Sequence, residues 1–189
     1  MKLLKVAIAG AMFVSALSAS TIASAADFLN IQLKDGTVVV QLAPEVAPKH
    51  VAQIEALAKK GAYDGVAFHR VIPGFMAQTG DVQYGNMNKD FDARRAGTGG
   101  SDLPDLPAEF SKTPFERGTV GMARSQNPNS ANSQFFIMFD QGAFLNGQYT
   151  VVGKVVSGME FVDKIKKGEG SNGEVSSPDR MVKVTVTKK

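Results

Sequence analysis

Residues 29–42 read LNIQLKDGTVVVQL, and this stretch decides the class of the fold. Leu29, Ile31 and Leu33 alternate with polar residues, Asp35-Gly36 supplies a turn, and Thr37 to Leu42 is a β-branched return, so the pattern predicts a β-hairpin. Downstream, Val66 to Ile72, Gly118 to Arg124, Gln134 to Phe139, Tyr149 to Val156 and Met181 to Thr187 have the same strand character and are separated by Gly- and Pro-containing turns. Two segments break the rhythm. Pro48 to Lys60 places Val51, Ile54, Leu57 and Ala58 on one helical face, with Gly61 as its stop. Ser157 with Glu160 three residues later makes a capping box for a shorter helix running through Met159, Val162 and Ile165 to Gly168. These elements predict a mostly β protein, a closed antiparallel β-barrel of about eight strands capped by two α-helices. Val82 to Pro107 lacks periodicity and is rich in Gly, Asn, Asp and Pro, which predicts a long surface excursion.

On the N-terminal side of the hairpin, Lys2 and Lys5 precede an apolar run from Val6 to Leu17 and the small tripeptide Ala23, Ser24, Ala25. That is the pattern of a secretory signal peptide over residues 1–25, and the run is shorter than the ~20 residues of a membrane-spanning helix. The expected mature chain is one domain, residues 26–189, with no membrane segment after cleavage. Loss of Lys2 and Lys5 brings the formal charge of +3 close to neutrality, which gives no general attraction to nucleic acid. The chain has no cysteine, so its stability in an oxidising compartment must come from packing without disulfides.

Several chemistries fail on the residues themselves. The histidines are His50 and His69, with no cysteine and no zinc-like spacing around either, so no metal site is expected. Asn86, Asn88, Asp90 and Asp92 alternate like the start of a calcium loop but lack its glycine and terminal glutamate. Gly168, Gly170 and Gly173 match the GxGxxG spacing yet follow a predicted helix instead of opening one, so no dinucleotide cofactor is expected. No GxSxG nucleophile elbow is present. What remains is FHRVIPGFMAQTGD at residues 68–81, with Arg70 among apolar residues, and SQFFI at 133–137. Singly, these read as alternating core residues and a rim arginine.

Together with their neighbours they resemble the cyclophilin family. The shared motifs are GxYxGxxFHRVIPxFMxQxGD at 61–81, GTVGMARS at 118–125, NSxxSQFFI at 129–137 and FLNGxYTVVGKVVxGM at 144–159, in that order. The resemblance implies a cyclophilin-like barrel and peptidyl-prolyl cis/trans isomerase activity without a cofactor. It implies that Arg70 is the catalytic donor, with Gln78 and Gln134 orienting it. It implies an apolar proline pocket of Phe75, Met76, Phe136 and Leu145, and substrate main-chain binding near Ala123 and Arg124. Phe144 and Tyr149 stand at the site's edge where many eukaryotic members carry tryptophan and histidine, which implies weak cyclosporin binding. With the signal peptide, the expected partners are X-Pro-containing unfolded proteins exported to a bacterial periplasm, met by a monomeric enzyme. The alternative is a chaperone or interaction module that binds proline-containing segments with incidental turnover.

Overall fold

A computed structural model of the chain describes residues 27–188. The expected signal peptide lies outside the described residues. The predicted hairpin forms, with β1 (Phe28–Gln32) antiparallel to β2 (Thr37–Leu42) and Ile31 opposite Val38. Six further strands follow: β3 (Arg70–Ile72), β4 (Met76–Thr79), β5 (Thr119–Met122), β6 (Phe135–Met138), β7 (Val151–Ser157) and β8 (Lys183–Thr187). They make one antiparallel sheet in the order β3-β4-β6-β5-β7-β2-β1-β8.

The closed barrel is corrected to a curled but open sheet, because its two edge strands, β3 and β8, do not pair. The stretch expected as a long strand from Val66 shortens to Arg70–Ile72, with Val66 and Ala67 making isolated bridges. Backbone bonds from irregular segments stitch the seam, among them Phe68 N–H to the Asp179 carbonyl at 2.8 Å and Met181 N–H to the Val66 carbonyl at 2.9 Å.

Helix α1 (Pro48–Lys59) starts on proline, whose missing N–H costs nothing in the first turn, and packs against β8. It ends as predicted at Gly61, where φ is +68°. There the Gly61 N–H reaches the Ala58 carbonyl and the Ala62 N–H reaches the Leu57 carbonyl, the paired bonds of a Schellman motif. Helix α2 (Met159–Asp163) is shorter than expected and packs against β2. The expected capping box is absent: Ser157 is the last residue of β7, and the helix follows Gly158, at φ +82°, with no side-chain cap. A 3-10 turn at Ala143–Leu145 was not foreseen. The 82–107 excursion does lie outside the strands and helices.

Strand alternation divides the buried side chains into two clusters. From β6, Phe135 and Ile137 join the main core with Ile31, Val40, Ile54 and Phe68, while Phe136 and Met138 point to the opposite face. There they meet Met76 of β4, Phe115, Leu145 and Val151. Phe115 stacks on Phe136 at 5.7 Å between ring centroids. Gly121 of β5 makes room for both rings, since a Cβ there would lie 2.5 Å from one and 2.7 Å from the other. The paired phenylalanines of SQFFI thus serve two different cores, and the second one floors the candidate site.

Candidate active site

Register on β3, β4 and β6 places Arg70 opposite Gln78, and Gln78 opposite Phe136. The three side chains therefore emerge on the same outer face. Arg70 Nη1 donates to Gln78 Oε1 at 3.2 Å, Gln78 Nε2 donates to Gln134 Oε1 at 3.0 Å, and Gln134 Nε2 donates to the carbonyls of Gly97 and Gly99 at 3.0 and 2.7 Å. On its other side Arg70 Nε donates to the Asn172 carbonyl at 2.9 Å. Its Nη2 has no protein acceptor, and no carboxylate pairs with it, among the described residues. Burial pushes the guanidinium's pKa down, opposed by nearby Tyr149, yet an arginine keeps its charge near neutral pH.

Arg70 forms one wall of a cavity of about 290 Å³ that also takes in Phe75, Met76, Gln78, Ala123, Arg124, Phe136, Phe144, Leu145 and Tyr149. Every expected site residue except Gln134 lines it, and Gln134 touches it through Gln78. The apolar floor comes from Met76, Phe136 and Leu145, each at most 5% exposed, while Phe144 at the rim is 65% exposed and leans on Phe75 at 5.4 Å. Tyr149 meets Phe136 edge-on at 6.0 Å and carries the Arg124 guanidinium over its face at 4.3 Å. The Ala123 N–H is already taken by the Gln134 carbonyl at 2.9 Å. This leaves the Ala123 carbonyl and the Arg124 N–H without protein partners among the described residues.

A second, more polar groove of about 570 Å³ shares Gln78, Ala123 and Arg124 and continues along Gly97–Ser101. The glycine segment beside it is held by Asp81. That buried carboxylate accepts N–H bonds from Gln83 and Tyr84 on one oxygen and from Gly97 and Gly99 on the other. His69 packs beneath Gly97 with neither ring nitrogen bonded, and burial lowers its pKa against the opposing pull of Asp81. Elsewhere, a cavity of about 280 Å³ opens beside β2, β5 and β7, where Glu116 and Lys154 pair at 3.3 Å; its lining holds no arginine or convergent amides.

Sequence reasoning missed four contributors: Asp81, Gly97, Gly99 and Asn172. Asp81 closes the 61–81 motif and precedes a polar loop, which is the signal of an Asx-type turn. The Gly97, Gly99 and Asn172 contributions come from main-chain carbonyls, which carry no side-chain signature.

The family model for "Cyclophilin type peptidyl-prolyl cis-trans isomerase/CLD" matches residues 28–186. A Brucella suis protein named "Probable peptidyl-prolyl cis-trans isomerase" is 68% identical over 191 residues, covering 98% of this chain and 97% of that one. Peptidyl-prolyl cis-trans isomerase B of Bacillus subtilis is 40% identical over 140 residues, covering 72% and 89%. Among solved structures, the cyclophilin AquaCyp293 of Hirschia baltica superimposes with a TM-score of 0.69 at 27% identity, covering 84% of this chain and 73% of that one. With its open curled sheet, its apolar-floored cavity and an arginine on the cavity wall, this chain belongs to the cyclophilin-type peptidyl-prolyl cis-trans isomerases.

Proposed function

We propose that Arg70 is the catalytic group of this isomerase and that its substrates are X-Pro segments of proteins exported to a bacterial periplasm. An X-Pro bond rotates slowly because rotation breaks amide conjugation, a barrier of ~18–20 kcal/mol. At the twisted transition state the prolyl nitrogen regains a lone pair. A donor bound to that lone pair stabilises the transition state far more than the planar ground state. The observation that carries the assignment is the unsatisfied Nη2 of a guanidinium fixed at Nε and Nη1 on the wall of a cavity with an apolar floor.

The proline ring would displace water over Met76, Phe136 and Leu145, lowering the local dielectric and strengthening the arginine's bond. The substrate main chain would pair with the Ala123 carbonyl and the Arg124 N–H. Export is supported by the Lys2-to-Ala25 pattern.

Replacing Arg70 by alanine removes a charged donor, so kcat/KM in a protease-coupled proline-peptide assay should fall at least about a hundredfold, roughly 3 kcal/mol. A variant with normal circular dichroism and undiminished turnover would rule out the assignment. For export, the full chain expressed in a Gram-negative bacterium should appear in the periplasmic fraction with its N-terminus at Ala26; an unprocessed cytoplasmic product would refute that half of the proposal.

A further inference from the structure

The glycine pattern at 168, 170 and 173 belongs to the turn GEGSNGE, residues 168–174, laid along the edge of β3. The Gly168 N–H donates to the Val71 carbonyl at 2.8 Å, and the Val71 N–H donates to the Gly173 carbonyl at 2.7 Å. Glu169 and Glu174 face each other as an antiparallel bridge, and Glu174 also bridges to Arg70. Near the tip, Asn172 gives its carbonyl to Arg70 Nε, while its side-chain Nδ2 donates to Glu174 Oε1 at 3.0 Å. The glycines are needed here. Gly173 sits at φ +75° and a Cβ on it would lie 2.5 Å from Ile72 Cγ1; a Cβ on Gly168 would run into the Gly173 carbonyl.

An arginine on a strand has several rotatable bonds and, unpinned, spreads its guanidinium over many orientations. Here two bonds from different elements, Nε to Asn172 and Nη1 to Gln78, fix both the position and the plane of the group. Both acceptors are neutral oxygens. A carboxylate in either place would hold the charge in a bidentate pair and compete with substrate for the remaining N–H groups.

We infer that the Gly168–Glu174 turn is a positioning segment for the reaction: through the Asn172 carbonyl it sets the Arg70 guanidinium so that Nη2 meets the prolyl nitrogen. The inference rests on Arg70 being the donor. It assigns this turn a part in turnover beyond sealing the edge of β3.

The test is a double-mutant cycle on the purified enzyme. Gly173→Ala should lower kcat on the order of tenfold or more, as a displaced catalytic group does, and leave KM within about twofold. The Arg70 Nε–H resonance should lose its protection from solvent exchange. In an Arg70→Lys background, which has no Nε–H to give Asn172, the same glycine change should alter the residual rate by less than about twofold. An equal fall in both backgrounds would make the turn merely structural and overturn the inference.

Gly158→Ala, comparably strained at φ +82° with a Cβ there running into the Thr37 carbonyl oxygen but lying between β7 and α2, controls for lost stability and should leave kcat unchanged. A gentler variant covers the case in which Gly173→Ala does not fold. Glu174→Ala should slow turnover several-fold, and Glu174→Gln, which keeps the acceptor for Asn172 Nδ2, should restore it; absence of rescue overturns the inference. Full activity of Arg70→Lys would sink the Arg70 assignment and this inference with it. An unaltered kcat for Gly173→Ala beside an inactive Arg70→Lys would sink the inference alone.

Discussion

Phe144 stands 65% exposed at the cavity mouth, against Phe75, at the position where the family resemblance implies tryptophan in many eukaryotic members. Phenylalanine keeps part of the apolar contact but has no N–H donor. A ligand carbonyl facing it loses a neutral hydrogen bond of ~0.5–1.5 kcal/mol, and the smaller ring gives up about 1 kcal/mol more. Cyclosporin should therefore bind roughly ten- to hundredfold more weakly than to a tryptophan-bearing site. Phe144→Trp should recover that affinity and change kcat/KM by a few-fold at most, because the floor of Met76, Phe136 and Leu145 is untouched. Inhibition titrations on both proteins decide it, and equal dissociation constants would reject the argument. At this scale the site was legible through the resemblance of its motifs, which named Arg70, Gln78 and Phe136 by their side chains, and the register of β3, β4 and β6 then puts them on the same face. Asn172 was illegible because it acts through its carbonyl, a group every residue possesses.

Among the elements, α1 shows a cap supplied from far away in the chain. Its N-cap residue, Ala47, offers no side-chain acceptor. The carboxylate of Glu109 takes that place, receiving the N–H groups of Lys49 and His50 and contacting His50 Nδ1 at 2.6 Å. Burial raises the Glu109 pKa, but the bonds from His50 and Lys49 outweigh it and hold the carboxyl below its ordinary value of 4.5. A depressed carboxyl stabilises the fold fully above that value and loses its contribution as pH falls through the folded one. Glu109→Ala should cost about 2 kcal/mol, for a lost cap and an unpartnered buried imidazole, and lower Tm by about 5 °C near pH 7. The gap between the two proteins should narrow in acid; a constant gap from pH 7 to pH 3 would mean that the carboxylate does not act as the cap. Sequence could reveal α1 through its apolar face and Gly61, but not a cap from a residue some sixty positions away. Strand β4 was missed for another reason: Met, Ala and Gln are helix formers, and only pairing with β3 and β6 makes them a strand.

For the molecule as a whole, the mostly β, two-helix content was readable from alternation and an amphipathic helix face, with β4 the strand left out, whereas closure depended on whether the two edge strands would find each other. They do not, for local reasons. β3 spans three residues before Pro73, and the partner segments at 173–175 and 179–181 are separated by Ser176, Ser177 and Pro178, which break the ladder. The seam therefore has main-chain bonds without the continuous two-sided pairing that holds β1 between β2 and β8. An amide becomes exchangeable through the least costly opening that frees it, and a short, interrupted seam can part without unfolding the rest of the sheet. The amides of Phe68, Val71 and Met181, each donating across the seam, should exchange at least about tenfold faster than those of Asn30 and Ile31 in β1. That ratio corresponds to an opening free energy lower by about 1.4 kcal/mol or more. Because Arg70 and its turn lie on this seam, the same opening would release the guanidinium, so Arg70 Nε–H should exchange with the seam set and not with β1. Equal protection of the two groups of amides would show that the seam opens only with the whole sheet, and that the molecule behaves mechanically as a closed barrel despite the unpaired edges.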